Sequence, residues 1–592
     1  MTRQVPVEDV RPHVKGFLFL ASLGACVLLA GGQQVLLAQR LALTADAQGQ
    51  PASPPGRDAS ALPPRVGVTS EAFISLADAI ARSLQNNPDV GMARVAVEQA
   101  TDNIVAASGA LDPQLSVQSS FQRQQQPVSS LIGGSASGKL TQEGVSFGPA
   151  LKGMLGWSGT QYQVSFTSRR LTTDNQFVTL NPQFPSELSL SVTQPLFRGM
   201  RIDEARRQID LSKQNATLSD SQFRQRVMDV TLQTELAYWD LFFAEQNLQI
   251  QLQGLGLARE QVAGNQRLVS QGLAAPVDVL EAETQVATFR RGVFGAQAAL
   301  TRAENALKTL MLPDTRSSLW ASALHTTTAP ESGQAPASLE QAVGLARSMR
   351  PELAQAAIST AAHEVDSRFY SDQRKPQIDL VGTYSSAGLA GRLISSGVNP
   401  FSFGIQPLLD RINTLSNLQG LAPLGGFSTG GSTVPPVLTG GIGKSLSNLA
   451  ALNFPTFEVG LRVGLPVRNR TAGARYASSV AEGRRLRLHT EQIEMAVEAE
   501  VRNALQEVES AQAARGAALQ ARTLAEGQYA SEQRRFEAGT STVFLVLQRQ
   551  TAMIATRTEY ARAEVQLSRA VAQLQRATGQ ILAANQINVA AP

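Results

Sequence analysis

The sequence predicts a membrane protein of the α+β class, in which short β-strands are continued by very long coiled-coil helices. Three observations support this class. Most of the chain consists of two copies of one unit, each copy contains segments of alternating apolar and polar residues, and each also contains a proline-free stretch of about seventy residues. The 592 residues are 43% hydrophobic and 17% charged, so the apolar content is sufficient for a large core.

The first residues have the plan of a secretory signal. Arg11 and Lys15 precede an apolar run over residues 17–30, which is too short for a helix that spans a bilayer. Cleavage after Ala38 or Ala47 would fit the small residues there. We therefore predict a signal peptide and leader over residues 1–47 and a flexible, Pro-rich and Ala-rich linker over residues 48–70.

The single cysteine, Cys26, lies inside this apolar run. Residues 23–26 resemble a lipidation signal, in which the cysteine becomes the acylated first residue of the mature chain. The apolar run continues past Cys26, which favours ordinary cleavage, and possible lipidation remains the alternative. After ordinary cleavage the mature chain has no cysteine, which excludes disulfides and thiol chemistry.

Internal similarity divides the remainder of the chain. The pair Ser75-Leu76 recurs as Ser338-Leu339, and Pro88 recurs as Pro351 at the same offset. We predict a first repeat over 71–312, a Pro/Ser/Thr-rich linker over 313–337, a second repeat over 338–579 and a tail over 580–592. Each repeat opens with a capped short helix, and a proline then starts a second helix.

Four segments with the two-residue period of a strand follow these helices. They cover residues 114–123, 186–195, 377–385 and 454–465. Each has about the 9–12 residues that a tilted strand needs to cross a bilayer, although a soluble sheet would show the same alternation. A proline bounds each segment on its helix side, which suits a helix-to-strand junction: Pro113, Pro195, Pro376 and Pro466. Residues 124–159 and 386–453 are predicted loops, and 160–168 is a possible extra strand without an assigned place.

A very long helix follows the second strand of each repeat. Residues 201–271 and 471–538 contain no proline, and Leu241, Leu248 and Leu255 mark a seven-residue spacing typical of coiled coils. Arg515 and Arg522 interrupt the same seam in the second repeat. Each long helix ends at a glycine turn followed by a returning helix of about 34 residues.

Several classes of site have no support in the sequence. The net charge of +4 and the absence of a basic block give no footprint for nucleic acid. The four histidines are scattered, and neither a metal-binding spacing nor a phosphate-binding loop occurs. We therefore expect no metal, no cofactor and no enzymatic activity.

The order and spacing of these features resemble the TolC family of outer-membrane efflux proteins over residues 72–579. The segments that carry the resemblance are 191–199, 463–467 and the two turns, 272–280 and 539–547. The resemblance implies a homotrimer whose protomers give four strands each to one 12-stranded β-barrel in the outer-membrane lipid. It also implies an α-helical barrel that crosses the periplasm around a water-filled duct.

The resemblance further implies roles for the two turns. A periplasmic adaptor protein would dock on Gly272, Leu273, Asp278, Gly539 and Thr540, although these residues could simply form turns. Family members carry aspartates at a constriction where this chain has Leu545 and Gln548. We therefore expect a constriction formed by Phe544, Leu545 and Gln548 with a weaker preference for cations.

The function that these expectations imply is passive export. The duct would connect an adaptor and an inner-membrane pump of unknown class to the exterior, and the sequence does not identify the cargo. The alternative is a structural coiled-coil tether in the periplasm, which would not need membrane strands. A secreted hydrolase would need a nucleophile and base, and no such arrangement is recognisable.

Overall fold

A computed structural model describes residues 63–129, 137–330, 338–394, 406–424 and 434–588. The architecture below is that of the compact unit Arg65–Pro592. The signal peptide, the leader, Cys26 and residues 589–592 of the predicted tail lie outside the described residues.

The first half of the unit alternates short and long elements. In chain order these are β1 (Ser70–Ile74), α1 (Leu76–Asn86), α2 (Pro88–Ser108), β2 (Gln114–Pro127), β3 (Lys139–Leu155), β4 (Thr160–Thr173), β5 (Leu180–Pro195), α3 (Glu204–Ser270) and α4 (Pro276–Met311). Ser75 caps α1 by accepting a hydrogen bond from the amide of Asp78 at 3.1 Å, as its position before the helix predicts.

The second half has a similar order. It contains β6 (Ser322–Thr326), α5 (Leu339–Met349), α6 (Pro351–Asp372), β7 (Gln377–Leu393), α7 (Gln406–Leu418), α8 (Ile442–Ala450), β8 (Phe454–Gly464), α9 (Arg470–Glu537), α10 (Val543–Ala577) and α11 (Ile581–Ala584). Helices α7 and α8 lie within the segment that the sequence analysis assigns to a loop, and β7 is longer than expected because it continues to Leu393.

Six strands form one antiparallel sheet in the order β2-β3-β4-β5-β7-β8. The sheet therefore contains two strands more than the four that the sequence predicts. Strand β3 lies in the predicted loop 124–159, where Gly144, Gly148, Pro149 and Gly153 have the composition of a loop. The possible extra strand at 160–168 is confirmed as part of β4, between β3 and β5.

The helices below the sheet form a row in the order α2-α3-α6-α9. Each helix continues one strand of the sheet: α2 leads into β2, β5 into α3, α6 into β7 and β8 into α9. Helix α3 has 67 residues and α9 has 68, so each extends about 100 Å from the sheet. The returning helices α4 and α10 pack along α3 and α9 respectively.

An ionic cluster around two buried arginines joins this row at mid-height. Arg576 of α10 contacts Asp229 of α3 at 2.7 Å and Glu352 of α6 at 2.8 Å, and Arg350 contacts Glu352 at 2.9 Å and Glu500 of α9 at 2.8 Å. Burial alone would raise the pKa of Glu352, but the hydrogen bond and charge of Arg576 and the charge of Arg350 lower it. Glu352 therefore stays ionised, and the cluster links α3, α6 and α9 through Arg576 and Arg350.

A second buried cluster lies beside a small parallel sheet formed by β1 and β6. The ammonium group of Lys308 in α4 contacts Glu304 at 2.6 Å and donates to the carbonyl oxygens of Ser322 at 2.6 Å and Trp320 at 3.1 Å. Arg65 completes the cluster by pairing with Glu304. Part of the segment predicted as a linker is thus held against α4 as strand β6.

Candidate functional site

One face of the six-stranded sheet is apolar and exposed. A continuous row of directly opposed residues crosses all six strands: Leu115, Leu151, Val164, Leu190, Tyr384 and Phe457. Phe121, Val459 and Leu461 extend the same face, with exposed fractions of 69%, 56% and 60%. An exposed apolar area of this size on a folded protein marks a surface that contacts lipid or another protein.

The opposite face of the same sheet is polar. The neighbouring row crosses the six strands through Ser116, Ala150, Ser165, Ser189, Ser385 and Thr456. Hydroxyl groups meet across strands on this face, as between Ser120 and Ser146 and between Ser165 and Ser189, each pair at 2.7 Å. Successive side chains of every strand therefore point alternately to the apolar face and to the polar face of the sheet.

The apolar face has a defined height. On β2 it begins after Pro113 and ends where Arg123 pairs with Glu143 at 3.3 Å. On β5 and β7 it ends under helix α8, where the hydroxyl groups of Ser186 and Ser445 lie 2.7 Å apart. The band between these limits is about ten residues long, which matches the length of a tilted strand in a bilayer.

The four predicted junction prolines lie at the helix-side ends of four strands. Pro113 and Pro376 directly precede β2 and β7, Pro195 is the last residue of β5, and Pro466 follows β8 by two residues. At this end two aromatic side chains, Trp157 and Phe197, have exposed fractions of 82% and 47%. Exposed aromatic rings at one end of an apolar band are typical of a membrane interface.

The sheet and the helix row end on the same two sides. Strand β2 and helix α2 form one open edge, and strand β8 and helix α9 form the other. Apolar side chains are exposed on both edge helices: Met92, Val95 and Val105 on α2, and Val480, Leu488 and Met495 on α9. The backbone of each edge strand has no partner on its outer side within the described protomer.

The ends of the two long hairpins have nearly the same backbone geometry. Gly272 and Gly539 have φ values of 72° and 73°, in the left-handed region that favours glycine. Leu273 then donates from its amide to the carbonyl of Leu268 at 2.9 Å, and Thr540 donates to Arg535 at 2.8 Å. Both tips are therefore helix ends closed by the same pair of turns.

The structure brings the two tips together. Ala282 of α4 is buried against Val543 and Leu547 of α10, and Gln285 donates to Thr551 at 2.8 Å. Leu273 is 73% exposed at the first tip, and the Asp278 carboxylate accepts a hydrogen bond from the amide of Ala275 at 3.0 Å. The predicted docking residues thus lie on one end of the molecule.

The predicted constriction residues lie on the other side of α10 from this contact. Phe544 is 61% exposed and Leu545 37% exposed, and Gln548 is one helical turn further along the same face. Residues Val543, Val546 and Leu547 form the buried face. The helix therefore presents Phe544, Leu545 and Gln548 away from its own protomer.

The residues of β3 that belong to the apolar face were not predicted from the sequence. Val145, Phe147 and Leu151 alternate with small residues, and this was the available signal. Among the described residues, no group of His, Cys, Asp and Glu side chains is arranged to hold a metal ion. No helix of the described chain is long and apolar enough to cross a membrane.

Comparison with known proteins gives matches at the level of family and fold. The family model for outer membrane efflux proteins matches residues 79–311. No curated protein sequence matches the chain.

Solved structures with the same fold cover most of the chain. A structure of CusC, described by its transmembrane channel formation, has a TM-score of 0.57 at 16% identity and covers 90% of this chain and 98% of its own. The CmeC outer membrane channel of Campylobacter jejuni has a TM-score of 0.56 at 13% identity and covers 86% of each chain. The outer membrane protein VceC of Vibrio cholerae has a TM-score of 0.53 at 15% identity and covers 85% of this chain and 96% of its own.

These matches confirm the resemblance predicted from the sequence. The family model identifies residues 79–311, and the solved channels share the fold of both halves. Residues 79–311 thus resemble outer membrane efflux proteins in sequence, and the chain has the fold of solved outer-membrane channels.

Proposed function

We propose that this protein is a passive exit duct in the outer membrane, through which molecules delivered from the periplasm leave the cell. One observation carries the proposal. A sheet with one exposed apolar face and one polar face continues directly into a row of helices, two of which are about 100 Å long. The apolar face would contact outer-membrane lipid, and the polar face would line a water-filled lumen.

The open edges support a homotrimer. A strand with an unpaired edge in a bilayer leaves backbone groups without partners, so β2 must pair with a strand of another copy. Strands β2 and β8 run in opposite directions, so the β8 edge of a neighbour can extend the sheet antiparallel to β2. The same head-to-tail contact would cover Val95 of α2 with Leu488 of α9, and such contacts close into a ring.

The two halves are best explained as a duplication. Each contains two short helices, a pair of outer strands, a long helix and a returning helix in the same order. We propose the boundaries 71–312 and 338–579 for the repeats, with the junction prolines as the points where helix becomes strand.

The hairpin tips would receive a periplasmic adaptor, which couples the duct to an inner-membrane pump. Leu273, Val277 and Leu280 are more than half exposed at the first tip and offer an apolar docking surface beside Gly272 and Asp278. At the second tip Gly539 and Thr540 occupy the equivalent positions. Replacement of Leu273 by Asp should abolish adaptor capture in cross-linking experiments, while the exposed Leu524 to Asp, far from the tips, should not.

The closed end of the duct would be formed by Phe544, Leu545 and Gln548. Apolar rings restrict ions by excluding water, whereas carboxylate rings favour cations. Single-channel recordings should show weak cation preference in the parent protein and stronger preference in Leu545→Asp. Strong cation selectivity in the parent protein would contradict this assignment.

The duct would do no chemistry of its own and would require no cofactor. Opening would be a rearrangement of the tip helices, driven by adaptor contacts that differ between the closed and open states. Cross-linking in cells, followed by identification of the bound adaptor, would indicate the class of pump and the cargo.

The decisive test separates the duct from a structural periplasmic tether. Membrane fractions are analysed on SDS gels with and without boiling, and we expect a heat-dissociable trimer in the outer-membrane fraction. A monomer in the soluble periplasmic fraction would overturn the duct and favour the tether.

A further inference from the structure

We propose that the hairpin β3–β4 is part of the membrane-embedded wall. Three copies would then close an 18-stranded cylinder instead of the 12-stranded barrel that the family resemblance implies. This inference rests on the proposed function, because it specifies the wall of the same duct. The alternative is that β3 and β4 fold outside the bilayer and that β2 pairs directly with β5.

The first support is the register of the hairpin. Leu151 on β3 and Val164 on β4 lie directly between Leu115 on β2 and Leu190 on β5. In the next row Pro149 and Phe166 lie between Val117 and Leu188. In a loop outside the bilayer, no lipid contact would require apolar residues in register with those of two neighbouring membrane strands.

The second support is the position of the charged residues. The apolar face of β2 ends at Arg123, whose direct partner on β3 is Glu143. On β4 the same face ends at Arg170, opposite Val145. Charged side chains are costly in the bilayer centre and tolerated near its surface. The hairpin therefore has the same outer limit as β2.

The third support is the helix-side end of the hairpin. The turn between β3 and β4 places Trp157 at the surface, 82% exposed, at the end of the sheet where Phe197 also lies. The turn is fastened to β5, because Gln194 accepts a hydrogen bond from the Thr160 hydroxyl and donates to the carbonyl of Ser158 at 3.4 Å. A tryptophan at this level anchors a strand hairpin at the membrane interface.

The two added strands would widen the barrel and leave the number of helices below it unchanged. Four strands of each protomer continue into helices, whereas β3 and β4 are joined to each other by a turn and add no helix. Barrel diameter grows about linearly with strand number, so 18 strands would give a cylinder about 1.5 times as wide as 12 strands. An even number of added strands also keeps β2 and β8 antiparallel, as closure requires.

Disulfide mapping tests the strand order in the intact trimer. The pairs Ser120→Cys with Ser146→Cys and Ser165→Cys with Ser189→Cys join β2 to β3 and β4 to β5, at positions where the hydroxyl groups are 2.7 Å apart. The pair Ser116→Cys with Ser189→Cys would be adjacent only if β2 paired directly with β5. In the six-stranded sheet these two positions are three strand spacings apart, about 14 Å. The parent chain, with Cys26 alone, is the background control.

Arginine substitutions test whether the hairpin lies in the bilayer. Val164→Arg and Phe147→Arg place charge on the apolar face, whereas Ser165→Arg and Ser146→Arg place it one residue away on the polar face. We expect at least tenfold less heat-dissociable trimer in the outer membrane for the first two variants and near-parental amounts for the second two.

The outcomes separate the inference from the proposed function. Oxidation of the first two cysteine pairs, without oxidation of the third, together with arginine sensitivity confined to the apolar face, is the expected result. A normal trimer in which the Ser116→Cys and Ser189→Cys pair oxidises, or in which all four arginine variants assemble equally, overturns the 18-stranded wall and leaves the duct intact. Absence of any outer-membrane trimer in the parent chain overturns both.

Discussion

The two long hairpins have nearly the same dimensions and different interiors. Helices α3 and α4 have 67 and 36 residues, and α9 and α10 have 68 and 35. In the first hairpin Leu255 is buried against Phe289 and Val293. At the corresponding position of the second, Arg522 lies over the ring of Tyr560, 4.5 Å from its centre.

This difference shows that the length of the helices and the side-chain packing between them depend on different features of the sequence. Helix length follows from the absence of proline and from the glycine at the tip, which both copies share. Packing follows from the side chains and from position, because α3 lies between α2 and α6 whereas α9 lies at an open edge. Helix α9 buries fewer apolar residues within the protomer than α3, so we expect α9 to open at lower free energy than α3.

The largest expected effect is at the base of the first hairpin. Lys308→Met removes the cation that pairs with Glu304 and bonds two carbonyl oxygens, and the side chains of Lys308 and Glu304 are both buried. A buried pair broken in this way destabilises a protein by about 3–5 kcal/mol. The unfolding temperature of the purified trimer in detergent measures the loss.

The matched control lies in the second hairpin. Gln575 corresponds to Lys308 at the offset that aligns Gly272 with Gly539, and it is only half-buried. Gln575→Met should change the unfolding free energy by less than about 1 kcal/mol. Equal losses in both variants would contradict the contrast between the two hairpin bases.

The seam positions give the next largest effect. Leu255→Ala removes buried apolar contacts and should destabilise the first hairpin by about 2–5 kcal/mol. Arg522→Ala removes a partly buried cation–π contact and should destabilise the second by about 1 kcal/mol or less. Hydrogen exchange of the two hairpins compares the losses directly. A larger loss of protection for Arg522→Ala would show that the second seam is the stronger one.

A buried carboxyl in the first hairpin gives a pH-dependent effect. Burial raises the pKa of Glu235 to about 7 from 4.5, and a hydrogen bond with Asn585 opposes part of that rise. The folded protein therefore holds this proton more tightly than the unfolded chain. Its contribution to stability is fully present below pH 4.5 and is lost as the pH rises through about 7.

Glu235→Gln should remove this pH dependence. We expect the variant to be more stable than the parent at pH 8, by up to about 3 kcal/mol, and to show no gain near pH 4.5. In the second hairpin Arg502 occupies the corresponding position, exposed and paired with Glu498 at 2.8 Å, and Arg502→Gln should show no comparable dependence. Unfolding temperatures across this pH range provide the test, and a gain equal at both pH values would refute it.

Local signals in the sequence were enough for much of this fold. The signals are the glycines at 272 and 539, the prolines at the strand ends and the stretches without proline. Each constrains the backbone locally, and the long helices and the tips lie where these signals predict. The alternation of β8 was also legible, because its apolar face carries Phe457, Val459, Leu461 and Val463, with Thr456, Glu458 and Arg462 on the polar face.

The elements that were missed depend on distant partners. Strand β3 has glycine or proline at four of its positions, and its alternation becomes meaningful only beside β2 and β4. Strand β6 has five residues and is held by parallel pairing with β1, about 250 positions earlier in the chain. Glu304 and Lys308 look like an exposed pair on a helix surface, and only the packing of β6 and Arg65 buries them.

The smallest expected effect is an exchange between the tips. The Asp278 carboxylate accepts from the amide of Ala275 at the start of α4, whereas the corresponding residue at the start of α10 is Leu545. Asp278→Ala should weaken the first tip by about 0.5–1 kcal/mol, and Leu545→Asp should strengthen the second by a similar amount, because a carboxylate there can accept from the amide of Thr542. Hydrogen exchange at residues 272–280 and 539–547 reads each change separately. If Leu545→Asp instead increases exchange at the second tip, the leucine stabilises that tip by its own packing, and the two tips differ in more than one capping carboxylate.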